Sequence, residues 1–201
     1  MIRRPRVSRA FSMIEVLISL AITGTLLAAA LAALDASFKS YKVTSESAST
    51  HVVTRMVMYR LMTMIRTGTE FGPYPADVLN AAQNPLNSTF IEFTTSENVG
   101  AGTKQIVRIE RRDTATAGTY ELWYVQKDYS GGALISTQAR PLLVGVKEAT
   151  FELQYDVGPR LKKATVDLTV LPNDLDDASI GSSLQTPTIR MVSSVSPRKL
   201  D

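Results

Sequence analysis

Cysteine is absent from the 201 residues, so neither a disulfide nor a thiolate metal site is available. Histidine occurs once, at His51. A catalytic histidine needs an orienting acid and a nucleophile within reach, and no such set surrounds it in the sequence, so a surface or packing role is expected. Proline is missing between Pro5 and Pro73, which leaves that stretch without a helix breaker. Charge is missing too: from Phe11 to Leu34 (FSMIEVLISLAITGTLLAAALAAL) the only ionisable side chain is Glu15. At about 1.5 Å per residue these positions make a helix of about 36 Å, enough to cross a hydrocarbon core of about 30 Å.

What is there is placed asymmetrically. Arg3, Arg4, Arg6 and Arg9 precede the apolar run, and no comparable basic cluster follows it. This predicts a cytoplasmic N-terminus with the rest of the chain on the other side of the membrane. The chain holds 22 Lys and Arg against 19 Asp and Glu, a formal net charge of +3. Without residues 1–10 the balance is 18 against 19, about −1, so the basic excess belongs to the N-terminus and says little about nucleic acid. Glu15 is the oddity. An ionised carboxylate in a span costs roughly 2.5–3.5 kcal/mol even on the mildest scales, and the apolar run offers it no nearby partner. A new α-amino group created by cutting between Ala10 and Phe11, on this chain or a neighbouring copy, would supply one.

A basic leader, a small residue, then Phe-Ser-Met-Ile-Glu-Val and an apolar helix resembles the prepilin signature of type IV pilins and type II secretion pseudopilins. The resemblance implies removal of the leader by prepilin peptidase, a membrane aspartyl peptidase, and N-methylation of the new first residue. Ala10 stands where that family usually has Gly, Phe11 at the new N-terminus, Ser12 where Thr is commonest, and Glu15 at the acidic position that serves assembly.

Beyond the span, Asp35 to Lys42 leaves the bilayer with amphipathic character, with Tyr41 as an interfacial anchor. Apolar residues at Val52, Met56, Tyr59, Met62 and Ile65 predict a helical stripe, Gly68 a C-cap, and hence one helix from Phe11 to about Thr67. The Ser/Thr-rich stretch from Thr44 to Thr50 is a weak point where that helix would fray or bend. Met56, Met58, Met62 and Met64 are read as packing against a sheet. Residues 69–88 read as a loop with a short helix over 76–82. Strands are expected over 89–95, 105–111, 120–126, 134–137, 151–155, 166–170 and 188–192, with short Gly-containing turns between several of them. Trp123 is assigned to the core. The tail from Ser193 to Asp201 is polar and expected to be loose.

The stretch from Ala139 to Asp156, with Leu142-Leu143, Gly145-Val146, Phe151 and Tyr155-Asp156, followed by Lys163 to Val170, is similar to the J-type minor pseudopilins of type II secretion and to related minor pilins. Other constellations carry less chemistry. Gly100 to Lys104 lacks the spacing of a phosphate loop and precedes a strand, so it reads as a turn. Lys104, Arg108, Arg111 and Arg112 are diluted by Glu110 and Asp113, and no nucleic-acid binding is expected. Asp174, Asp176 and Asp177 are the weak candidates for a metal. Their oxygens suit Ca²⁺, but no closing Glu follows, and a solvated loop is the preferred reading.

The fold class expected is α+β and pilin-like: a long N-terminal α-helix, transmembrane in its first half, packed on an antiparallel β-sheet domain. The divisions are a leader at 1–10, a span at 11–34, the extramembrane half of the helix at 35–67 and a β-rich domain at 68–201. The function implied is that of a structural subunit and not an enzyme: a minor pseudopilin at the tip of a type II secretion pseudopilus, or alternatively a minor pilin of a type IV pilus. Its partners would be other pilin or pseudopilin subunits, prepilin peptidase, an inner-membrane assembly platform and the lipid bilayer, with no cofactor other than the calcium weighed above. Ala30-Leu31-Ala32 keeps one other reading open, a secreted binding protein cut after Ala32 as an ordinary signal peptide.

Overall fold

Apolar, helix-favouring residues without an interrupting proline make α1, Met13–Thr67, continuous through the Ser/Thr-rich stretch. The computed structural model describes residues 12–158, 160–172 and 188–198. Two hydroxyls at or near that stretch turn back onto the helix: Thr44 donates to the Ser40 carbonyl at 2.9 Å and Thr54 to that of Thr50 at 2.7 Å. The chain separates into two compact units, Met1–Thr44 and Ser45–Asp201.

In the second unit, α1 buries Thr54, Met58, Leu61 and Ile65, spaced i, i+4, i+7 and i+11 along one face. Burying each of the three large side chains contributes on the order of 1.5–3 kcal/mol. The stripe expected from sequence is different. Val52, Met56 and Tyr59 are 60%, 68% and 74% exposed, about half a turn round the helix from the buried face. Met62 and Met64 flank the buried face and pack partly against the core, so the methionine reading holds for Met58, Met62 and Met64 but not for Met56. The helix stops at Gly68, whose N–H donates to the Met64 carbonyl at 2.9 Å. A Cβ at Gly68 would lie 2.6 Å from the Phe93 ring, so the residue is set by close packing as much as by capping.

Eight strands form one antiparallel sheet among the described residues. They are β1 (Thr69–Gly72), β2 (Leu86–Ser88), β3 (Phe90–Asn98), β4 (Thr103–Asp113), β5 (Tyr120–Ser130), β6 (Ala133–Asp156), β7 (Arg160–Val170) and β8 (Ile189–Val195). The order is β1-β3-β4-β5-β6-β7-β8, with β2 added beside β6. This is the α+β, pilin-like arrangement of a long apolar helix and an antiparallel sheet. Two expected strands, 134–137 and 151–155, are parts of the single 24-residue β6. Its first part pairs with β5 and its second with β7, and Val146 faces Tyr120 on one side and Val170 on the other. Gly145 makes the changeover with φ of 69°, and its carbonyl accepts the Leu171 N–H at 2.8 Å.

One apolar cluster joins Met58, Leu61 and Ile65 to Phe93, Ile109, Leu122, Phe151 and Leu168 among others. Trp123 is only half-buried: its neighbours Leu122 and Tyr124 take the core side, so alternation turns it to the opposite face. There Arg112 stacks over its ring at 4.4 Å and its indole N–H donates to Glu121 at 2.7 Å. No helix forms over 76–82. The Asp77 and Asn80 side chains instead accept the N–H groups of Leu79 and Ala82, both at 2.9 Å, which favours turns over helix. Asn84 fastens this segment to β6, accepting the Tyr155 N–H at 3.0 Å and donating to the Tyr155 carbonyl at 2.8 Å.

Candidate functional site

In the first unit the sequence motif continues into α1. Ser12 precedes the first helical residue and its carbonyl accepts the Val16 N–H at 3.2 Å. Glu15 folds back so that its carboxylate accepts the Ser12 N–H at 3.1 Å. This is half of a capping box, and the helix N-terminus favours an anion there. The carboxylate thus has a backbone hydrogen-bond donor within its own chain, though no opposite charge among the described residues. The Ser-x-x-Glu spacing of Ser12 and Glu15 was the signal for it. Ala10 and Phe11 lie outside the described residues.

Helix α1 is long and apolar enough to cross a membrane, and none of the qualifying window, with mean hydropathy 2.2, is buried within the protein. Over residues 13–37 its hydroxyls bond back onto the helix. Ser19 donates to the Val16 carbonyl at 2.9 Å, Thr23 to Ser19 at 2.7 Å, Thr25 to Ile22 at 2.9 Å and Ser37 to Ala33 at 2.9 Å. In hydrocarbon an unmatched hydroxyl is costly, so this arrangement suits a lipid-facing helix. The first ion pair beyond the apolar run is Asp35–Lys39 at 2.8 Å, one helical turn apart. Tyr41 is exposed close behind it.

His51 is exposed on α1. Residues Asn98 to Thr103 form a turn, in which Gly102 has φ of 62° and Ala101 donates its N–H to the Asn98 side chain at 3.1 Å. The four cations near it do not form one patch. Lys104 pairs with Glu70, Arg108 and Arg112 approach the Glu110 carboxylate to 2.7 and 2.6 Å, and Arg111 stacks over Tyr120 at 4.3 Å. Glu70 is a non-glycine residue with φ of 50°, held there by hydrogen bonds from Lys104 and from the Thr94 hydroxyl at 2.9 Å. The Lys104 hydrogen bond holds the Glu70 carboxyl below its ordinary value against the opposing effect of burial, and raises the Lys104 ammonium in turn. Asp174, Asp176 and Asp177 lie outside the described residues, and among the described residues no group of three or more His, Asp or Glu is placed to hold a metal.

The sequence comparison bears on the first unit. Residues 5–31 match the family model described as the prokaryotic N-terminal methylation motif. No curated protein and no solved structure gives a significant match to the chain. The motif supports membership of the pilin and pseudopilin family, and with the exposed apolar helix it fits a single-pass, membrane-anchored protein.

Proposed function

We propose that the chain is a non-catalytic structural subunit of a pilin-type filament, a minor pseudopilin at the tip of a type II secretion pseudopilus. The observation that carries this reading is the methylation motif over 5–31, set directly on an apolar helix that continues into a sheet-packed half. The similarity of residues 139–171 to J-type minor pseudopilins favours the secretion pseudopilus. Prepilin peptidase cuts between Ala10 and Phe11 on the cytoplasmic side, and Phe11 is N-methylated. The subunit waits in the inner membrane with its β-domain outside, and the assembly platform then lifts it among other pilin or pseudopilin subunits.

Physically, joining moves the apolar helix from lipid to a bundle of like helices. The costly charge of Glu15 is met by a neighbour's Phe11 amine, an attraction that is strong in low dielectric. Until then the Ser12 N–H offsets part of that cost.

Mass spectrometry of protein recovered from membranes tests the processing step. A chain starting at Phe11 with one added methyl is expected. A start at Ala33 overturns the reading, because the protein is then an ordinary secreted one. An uncut chain that stays uncut after Ala10→Gly does the same. Glu15→Ala is expected to leave membrane insertion intact and to reduce incorporation into filaments; full co-assembly of this variant removes the role given to Glu15.

A further inference from the structure

A second feature lies in the sheet-bearing unit and is independent of how the N-terminus is processed. The last two turns of α1 and the end of β8 enclose a cleft of about 370 Å³, lined among others by Tyr59, Met62, Arg66, Ser193, Val195 and Arg198. Among the described residues, none that lines the cleft is acidic. Arg66 and Arg198 are both exposed, and neither guanidinium is in an ion pair among the described residues, whereas Lys104, Arg108, Arg112, Lys127 and Arg190 all are. Both residues line the cleft, and their backbones are joined there: the Arg198 N–H donates to the Arg66 carbonyl at 2.9 Å. Buried Pro197 and Val195 hold the segment in place.

A helix C-terminus ordinarily repels an anion through its free carbonyls. Here two of the last four carbonyls are occupied: Met64 accepts the Gly68 N–H and Arg66 accepts the Arg198 N–H, both at 2.9 Å. The Ser193 hydroxyl has no partner among the described residues. The cleft thus offers two planar donors and a hydroxyl above an apolar floor of Met62 and Val195, with Tyr59 at its mouth.

We infer that this cleft binds a carboxylate side chain presented by an acidic segment of another polypeptide, its oxygens held by Arg66 and Arg198 and its aliphatic stem laid against Met62 and Val195. Guanidinium forks suit planar carboxylates, and such charge-assisted bonds are the strong ones.

The test uses the full chain in detergent micelles at low salt and a fluorescein-labelled hexaglutamate peptide as probe, read by anisotropy. Saturable binding is expected. Arg66→Ala and Arg198→Ala are each expected to weaken it about tenfold or more, the loss of a charge-assisted bond, and Arg66→Lys to restore part. Arg55→Ala, on the same helix but outside the cleft, is expected to change it less than about twofold. Arg198 lies beyond the last strand, so its variant tests the cleft even if Arg66→Ala unfolds the domain. Absence of saturable binding, or equal losses from Arg55→Ala and Arg198→Ala, overturns the proposal. So does displacement of no peptide by sulfate, since both oxyanions would need the same two guanidiniums.

Discussion

Residues 13–44 and residues 45–67 lie on one helix and are both rich in apolar side chains, but their surroundings differ. In the first stretch Leu17, Leu20, Leu26 and Leu31 are all exposed, together with everything round them. In the second, one face is closed by the sheet through Met58, Leu61 and Ile65, and the opposite face leaves Val52, Met56 and Tyr59 exposed. The difference teaches that apolar composition fixes a helix without fixing what covers it. Residues 13–34 of the first stretch need lipid or like helices on all sides, whereas the second stretch has its own sheet on one side.

The comparison breaks most sharply with a matched pair of truncations. Leu61→Ala removes a fully buried side chain and is expected to cost about 2–5 kcal/mol of domain stability. Leu26→Ala removes an exposed one and is expected to leave the same transition unmoved. The single tryptophan, Trp123 on β5, reports unfolding of the sheet for both in detergent. Equal shifts would mean that the two stretches are not energetically separate. A smaller effect comes from Gly68→Ala. Its Cβ would meet the Phe93 ring, and a loss of about 1–3 kcal/mol is expected, with partial recovery on adding Phe93→Leu. No loss would show that the helix end can move away from β3.

The smallest effect tests the polar edge beside the helix end. The Glu70 carboxyl is lowered from its ordinary value of 4.5. Its contribution is therefore present above pH 4.5 and is lost as pH falls through the lowered folded value. Glu70 is half-exposed, so solvent screening keeps the contribution small. Thermal midpoints of wild type and Glu70→Gln are expected to differ slightly at neutral pH and to converge in acid. A difference that grows in acid would assign the wrong sign.

Much of the architecture is legible in the residues, for stated reasons. The alternation of Phe151, Leu153 and Tyr155, and of Val166, Leu168 and Val170, shows directly in the sequence because each faces one core. The core face of α1 is not legible. Val52, Val53, Met56, Val57, Met58, Tyr59, Leu61, Met62 and Ile65 encircle the helix, and the true face includes Thr54, so periodicity selects no side. Strands β1 and β2 escape because four and three residues carry no period, and pairing across the sheet makes them. At the N-terminus the motif is local and hence readable, including the Ser12–Glu15 spacing. The Arg66–Arg198 cleft is the reverse case, since only the tertiary fold brings those two residues together.

The changeover in β6 has a consequence for how such a chain can diversify. A one-residue insertion within a strand ordinarily turns every later side chain to the wrong face. Here the ladders on either side of Gly145 are separated by register shifts, between Leu122 and Trp123 in β5 and between Val146 and Glu148 in β6. The β5–β6 hairpin can therefore lengthen, shorten or change its tip while Phe151, Leu153 and their partners on β7 keep their phase. The fold thus carries an arm that can vary without retuning the core that holds it.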